Sequence, residues 1–111
     1  MSQPHQPQLT LTEHTGLNGV VTVSAAGEID MSTAGRLTAV LTRVLTGTRP
    51  SRLVVDLAGV RFMDSTGIGA LVQARRLATT TGTALRVTNP SPIVTKVLQI
   101  TGLFDALTAD D

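Results

Sequence analysis

The sequence of 111 residues has no cysteine, which excludes disulfide bonds, thiolate chemistry and cysteine-based zinc sites. Its only aromatic residues are Phe62 and Phe104, so a base-stacking platform is not expected. The formal net charge is +1, which gives no long-range field to recruit nucleic acid or an anionic membrane. No stretch approaches the roughly 20 apolar residues that a transmembrane helix needs. We therefore expect a cytoplasmic protein without nucleic-acid or membrane partners.

Apolar residues make up 41% of the sequence, which is enough for one hydrophobic core in a chain of this length. The start of the chain is polar and has neither the basic nor the apolar segment of a signal peptide. We expect a flexible N-terminal tail over residues 1–8, one domain over residues 9–108 and a C-terminal tail over residues 109–111.

Hydrophobic periodicity predicts an α/β fold with the element order β-β-α-β-α-β-α and a last short strand at the end. The predicted strands cover residues 9–12, 20–26, 53–57, 84–88 and 103–108, and the predicted helices end near Gly47, Gly82 and Gly102. Strands that alternate with helices imply a mostly parallel sheet, and a hairpin around Asn18-Gly19 makes it mixed. Segment 27–30 is predicted to break the second strand. Segment 58–63 is predicted to be a loop anchored by Phe62 and Met63.

The segment with the richest chemistry is Asp64-Ser65-Thr66-Gly67-Ile68-Gly69, at the predicted start of the second helix. The first N–H groups of a helix are unpaired and its end is partly positive. Ser65 can therefore cap the helix or carry a phosphate of about −1.5 to −2 charges. Asp64 can cap the helix, or can orient or accept the proton of Ser65. Glycines inside a helix cost roughly 1 kcal/mol each against alanine, so Gly67 and Gly69 suggest close approach of a partner backbone or a nucleotide. Spacing alone supports a plain N-cap with packing glycines equally well.

Several catalytic patterns are incomplete. A serine hydrolase would need Gly-x-Ser-x-Gly, but Met63 occupies the position of the first glycine. Its histidine would follow the serine, whereas His5 and His14 both precede it. These two histidines are too few and too far apart to predict a metal site, and no lysine follows the glycines as in a P-loop. We therefore expect no enzyme activity, no catalytic residue, no metal and no cofactor.

Five segments, together with the order of elements, resemble the STAS domain, and specifically the bacterial anti-sigma factor antagonists. The resemblance spans about residues 9–108, and its specific part is Phe62-Met63-Asp64-Ser65-Thr66-Gly67-Ile68-Gly69. The other segments are Gly27-Glu28-Ile29-Asp30, Leu53-Val54-Val55-Asp56-Leu57, Leu85-Arg86-Val87 and Val97-Leu98-Gln99-Ile100-Thr101-Gly102-Leu103. The resemblance implies a STAS-like mixed, mostly parallel sheet of four to five strands with helices.

The resemblance also implies a role in partner switching. Such antagonists bind an anti-sigma factor that is also an ATP-dependent serine kinase, and this binding frees the sigma factor. The kinase phosphorylates the serine after the motif's aspartate, here Ser65 rather than Thr66, and the phosphorylated form dissociates until a phosphatase resets it. In the family the Gly-Glu-Ile-Asp segment lies beside this site. The implied partner-binding residues are Asp30, Asp64, Ser65, Thr66, Gly67 and Gly69.

An alternative is a non-switching STAS scaffold, such as a component of a stress-signalling assembly or an accessory subunit of a lipid transporter. Ser65 directly after Asp64 favours the switch. Weak nucleotide binding near Ser65 stays open, since some STAS domains are thought to bind nucleotides. Relatives often continue into a C-terminal strand and helix, and we expect this final helix to be absent.

Overall fold

The structure is a computed structural model that describes residues 9–109. In chain order its elements are β1 (Leu9–Thr15), β2 (Val20–Ile29), α1 (Ala34–Arg43), β3 (Arg52–Met63), α2 (Ser65–Thr81), β4 (Ala84–Thr88), α3 (Pro92–Ile100) and α4 (Phe104–Thr108). A π-helical turn over Val44–Thr48 extends α1 to the end that the sequence predicts. The α/β fold expected from the sequence is confirmed. The expected tail over residues 1–8, and residues 110 and 111 of the other tail, lie outside the described residues, so the domain boundaries stay a prediction.

The described strands form one mixed sheet in the order β1-β2-β3-β4. β1 and β2 are antiparallel, and β3 is parallel to both β2 and β4. Gly19 has φ of 73° in the turn between β1 and β2, as expected for the predicted hairpin. In β3, Leu53 and Val55 are fully buried whereas Val54 between them is half-buried. Since successive side chains of a strand point to opposite faces, one face of the sheet lines the core and the other is partly exposed.

The core is closed by helices on that buried face. α1 contributes Leu37 and Leu41, α2 contributes Leu71, and all three side chains are fully buried. α1 and α2 also contact each other. The last two helices bury Leu98 and Leu107, which join the same hydrophobic cluster. The apolar residues of the chain thus form one core between the sheet and its helices.

The predicted breaks after residues 26 and 57 are wrong, because β2 runs to Ile29 and β3 runs to Met63. The two strands stay paired through Ile29 and Met63, with register shifts that absorb the irregular stretch. Gly27 has φ of 116° there, and a Cβ on Gly59 would lie 2.8 Å from the Cβ of Ala26. These glycines allow a bulge and a close approach between strands, not an end of pairing.

The predicted final strand over residues 103–108 is also wrong. Gly102, with φ of 75°, ends α3, and the Leu103 N–H donates to the Leu98 carbonyl oxygen over 2.9 Å. The chain then forms the short helix α4, in which Leu107 alone is fully buried. A half-buried strand needs a buried residue at every second position, so one buried leucine fits a helical turn better.

Candidate functional site

The carboxyl ends of β2 and β3 lie side by side and set the position of the motif. Ile29 and Met63 are the last paired residues, and the Asp64 N–H donates to the Ile29 carbonyl oxygen over 3.1 Å. The turns that begin at Asp30 and Asp64 therefore leave the sheet at the same edge. This is the edge of a parallel sheet at which ligand and partner sites usually form.

The turn after β2 is held by its own side chains. One Asp30 carboxylate oxygen accepts from the Ser32 N–H over 2.8 Å. The Thr33 hydroxyl accepts from the Asp30 N–H over 2.9 Å and donates to the Glu28 carbonyl oxygen over 2.8 Å. Thr33 is buried at the N-cap position of α1, but its side chain caps no helical N–H. The turn thus fixes the half-buried Asp30 beside the start of α2.

Asp64 is the N-cap of α2. Its Oδ1 accepts from the Thr66 N–H over 2.9 Å and also from the Thr66 hydroxyl. The hydrogen bond from the Thr66 hydroxyl is the main reason why the pKa of Asp64 lies below its ordinary value, and backbone N–H groups of the first turn add to it against partial desolvation. Asp64 is therefore a carboxylate at neutral pH, placed at the positive end of the helix.

Ser65 is the first residue of α2, and its side chain is exposed. Among residues 9–109 its hydroxyl has no hydrogen-bond partner. The hypothesis that Asp64 orients or accepts the Ser65 proton finds no contact to support it, because the Asp64 oxygen that acts as cap is held by Thr66. The two neighbouring hydroxyls thus differ in chemistry: Thr66 is engaged inside the cap and Ser65 faces solvent.

The two glycines of the motif have different surroundings. Gly67 is buried, and an added Cβ would lie 2.7 Å from Met63 Cγ and 2.8 Å from Ile29 Cγ2. Gly69 is exposed, and an added Cβ would meet nothing within 4 Å. Packing of α2 against the strand ends therefore explains Gly67 without a partner. Close approach by a partner stays a prediction for both positions, and the structure leaves space for it at Gly69.

Sequence reasoning missed the apolar surface beside the motif. Met31 is 83% exposed in the turn after β2, and Phe62 is 45% exposed near the end of β3. Phe62 is therefore not the internal anchor that was expected, whereas Met63 is one, at 3% exposure. Strand alternation was the available signal, because adjacent residues of a strand cannot both face the core. Glu28 forms an ion pair with the exposed Arg61, with 3.7 Å between Glu28 Oε2 and an Arg61 guanidinium nitrogen.

Residues 9–109 contain no cluster of three or more His, Cys, Asp or Glu side chains that would suit a metal ion. His14 is exposed on β1, and His5 lies outside the described part of the chain.

None of the helices within residues 9–109 has the length and apolar character needed to cross a bilayer. Arg75 and Arg76 are exposed on α2.

Comparison with known proteins identifies a family model that matches most of the chain. A protein-family model described as the STAS domain matches residues 11–110. The anti-sigma-F factor antagonist RsfB of Mycobacterium tuberculosis is 38% identical over 71 residues, which are 64% of this chain and 55% of that relative. The chain thus spans little more than half the length of this curated relative.

Two solved structures extend the similarity to the whole domain. An anti-sigma factor antagonist from Mycobacterium paratuberculosis has a TM-score of 0.76 and 31% identity, and the match covers 98% of this chain and 88% of that one. The anti-sigma factor antagonist SpoIIAA in its unphosphorylated form has a TM-score of 0.69 and 26% identity, with 92% of this chain and 88% of that one covered. Both share the arrangement of sheet and helices described above.

Proposed function

The chain belongs to the STAS domain family, and from that membership we propose that it is an anti-sigma factor antagonist switched off by phosphorylation of Ser65. In its unphosphorylated form it binds an anti-sigma factor that is also a serine kinase, and it thereby frees a sigma factor. A phosphatase resets it. The chain itself is a substrate in the cytoplasm, not an enzyme, and needs no cofactor.

The observation that carries this proposal is the free, exposed hydroxyl of Ser65 on a helix of 17 residues. In the phosphorylation step, the Ser65 oxygen forms a bond to the γ-phosphorus of ATP, ADP leaves, and the hydroxyl proton passes to a base of the kinase. Ser65 can enter this reaction without breaking an internal hydrogen bond. Thr66 would first have to leave the Asp64 carboxylate, which would also weaken the cap of α2.

The charges at this edge explain why phosphate would release the partner. Asp64 is charged at neutral pH, and Asp30 lies at the same edge. A phosphate on Ser65 adds about −1.5 to −2 charges beside them, and burying this group in an interface costs desolvation and repulsion with any acidic partner groups. The same phosphate is tolerated by the N–H groups that begin α2. The switch therefore acts on the interface and leaves the fold intact.

The exposed apolar side chains supply the attractive part of the interface. Met31 lies in the turn after β2 and Phe62 near the end of β3, the two strands whose ends meet at the start of α2. Apolar and aromatic anchors surrounded by polar groups are typical of the residues that dominate binding energy. The partner surface should therefore offer an apolar groove to these two side chains. SpoIIAA, a solved relative, is described in an unphosphorylated form, which supports a switch of this kind.

The test combines phosphorylation and binding with the anti-sigma factor kinase from the same organism. Incubation with the kinase and Mg-ATP, followed by mass spectrometry, should place one phosphate on Ser65 in the wild type and in the Thr66→Val variant. The Ser65→Ala variant should receive no phosphate and should still bind the anti-sigma factor kinase. Ser65→Asp should bind about tenfold or more weakly by calorimetry, which corresponds to 1.4 kcal/mol or more.

The alternative, a non-switching STAS scaffold or accessory subunit, makes the opposite predictions. It would show no phosphate on the chain and equal affinity of Ser65→Asp and wild type for their partner. Phosphate on Thr66 would overturn the assignment of Ser65 while leaving the switch itself in place.

A further inference from the structure

Met31 places an exposed sulfur atom at the same edge of the sheet as Ser65. It lies in the turn after β2 and is 83% exposed. The chain has three methionines and no cysteine, so thioethers are its only sulfur atoms. Met1 lies outside the described residues, and Met63 is buried. Within residues 9–109, Met31 therefore carries the one sulfur that a dissolved oxidant can reach.

The turn around Met31 is held by hydrogen bonds in which Met31 takes no part. The Asp30 carboxylate accepts from the Ser32 N–H, and the Asp30 carbonyl oxygen accepts from the Ala34 N–H, both over 2.8 Å. The Thr33 hydroxyl accepts from the Asp30 N–H over 2.9 Å. A chemical change confined to the Met31 side chain should therefore alter the surface of this edge and leave the turn and the fold in place.

Met63 has the opposite surroundings. It is the last paired residue of β3, and its Cγ lies so close to α2 that a Cβ on Gly67 would come within 2.7 Å of it. Oxygen transfer to a thioether needs contact between the oxidant and the sulfur, so burial protects Met63. The two methionines thus have the same chemistry and lie at the same edge of the sheet, but differ in access.

We propose that Met31 is a site of reversible oxidation by peroxides, and that its sulfoxide weakens the complex with the anti-sigma factor; the second part rests on the proposed function. Hydrogen peroxide transfers one oxygen atom to the Met31 sulfur, which is oxidised by two electrons, and the peroxide is reduced to water. A methionine sulfoxide reductase reverses this with two electrons and two protons from a thiol, and the oxygen leaves as water.

The sulfoxide would act on the apolar part of the interface. The thioether of methionine is a soft, apolar group that suits a hydrophobic groove. The sulfoxide oxygen is a hydrogen-bond acceptor, and burying it in such a groove without a donor costs free energy of binding. Because the sulfoxide carries no net charge, this mechanism differs from the charge repulsion that a phosphate on Ser65 would cause.

The first measurement uses the full chain alone. After treatment with hydrogen peroxide, trypsin cleaves behind Arg36 and Arg61, so Met31 and Met63 fall on different peptides, and fragmentation separates Met31 from Met1. Mass spectrometry should find the added oxygen on Met31 at a rate about tenfold or more above that of Met63. In urea, which unfolds the chain, the two rates should become similar. Equal rates in the folded chain would overturn the assignment of Met31.

The second measurement is calorimetry with the anti-sigma factor kinase, after catalase has removed the peroxide so that the kinase is not oxidised. The oxidised wild type should bind about tenfold more weakly than the untreated chain, and the reductase should restore the affinity. Met31→Leu should have one affinity before and after peroxide, whatever its value. Met31→Leu/Leu17→Met moves the sulfur to the fully exposed β1–β2 turn, and should take up oxygen at position 17 without a change in affinity.

Three outcomes separate the possible errors. A loss of affinity in peroxide-treated Met31→Leu would assign the effect to Met1 or Met63 and overturn the proposal. Equal affinity of oxidised and untreated wild type would overturn the oxidation switch and leave the proposed function standing. An untreated chain that does not bind the kinase would refute the proposed function, and the oxidation switch with it.

Discussion

The Thr66 hydroxyl donates a hydrogen bond to the Asp64 carboxylate, and this contact distinguishes it from the hydroxyl of Ser65. Both residues belong to the first turn of α2, but only the threonine is part of the cap. The cap holds Thr66 against the protein, while Ser65 stays on the surface. The geometry of a helix start thus favours one of two adjacent alcohols as a kinase substrate.

The first prediction concerns the cap. Asp64→Ala should lower the free energy of unfolding by about 1 kcal/mol, because the Thr66 N–H and hydroxyl lose their acceptor. Asp64→Asn keeps an acceptor oxygen and should cost less. Urea unfolding of both variants measures the difference. Equal losses would mean that the charge of Asp64, and not its acceptor, stabilises α2.

A pH dependence follows from the same contact. The pKa of Asp64 is lowered in the folded chain, so the unfolded chain binds this proton more tightly. The stabilisation is complete above the unfolded pKa of about 3.9 and is lost as the pH falls through the folded pKa. The stability difference between wild type and Asp64→Asn should therefore be constant near neutrality and shrink below about pH 4. Urea unfolding from neutral to acidic pH tests this, and a difference that grows on acidification would contradict it.

The two motif glycines should respond to alanine in opposite directions. Gly67→Ala brings a methyl within 2.8 Å of Ile29 Cγ2, and such overpacking should cost roughly 1–3 kcal/mol. Gly69→Ala meets open space and should raise the free energy of unfolding by up to about 1 kcal/mol, because alanine is the better helix former. The midpoints of urea unfolding compare the two. If both variants gain stability, the contact between α2 and β2 is looser than described.

The exposed apolar side chains should matter for binding and not for folding. Met31→Ser and Phe62→Ser should each weaken the complex with the anti-sigma factor about tenfold, as loss of an anchor residue does. Their effect on the free energy of unfolding should stay within about 0.5 kcal/mol. Leu17→Ser is the control, because Leu17 is an apolar residue that is even more exposed, in the β1–β2 turn at the opposite end of β2. Equal weakening by the control in calorimetry would remove Met31 and Phe62 from the interface.

The elements that the sequence predicts best are those with a local signal at both of their ends. β4 is correct to the residue, since Gly82 and Asn89-Pro90 mark its limits. The start of α2 is correct because aspartate is a strong N-cap. The ends of β2 and β3 escape prediction, because a glycine at a bulge has the same local signature as one at a break. Only pairing between strands distant in sequence separates the two cases.

The site shows the same division between local and long-range information. The motif, and its proximity to Asp30, follow from the sequence and the family resemblance. That Thr66 and not Ser65 is held by Asp64 depends on side-chain geometry, which no spacing rule gives. The apolar surface of Met31 and Phe62 depends on which strand face is buried.

The contrast between Gly67 and Gly69 also bears on how natural selection would act along this motif. Gly67 is required by the contact of α2 with Ile29 and Met63, so drift at this position is limited by folding whatever the partner is. Gly69 faces open space, so only a partner surface would constrain it. When this domain duplicates and its copies acquire different partners, position 67 should stay glycine in every copy. The residue at position 69 should change when the partner changes. Copies that keep the same residue there would therefore be expected to bind the same partner.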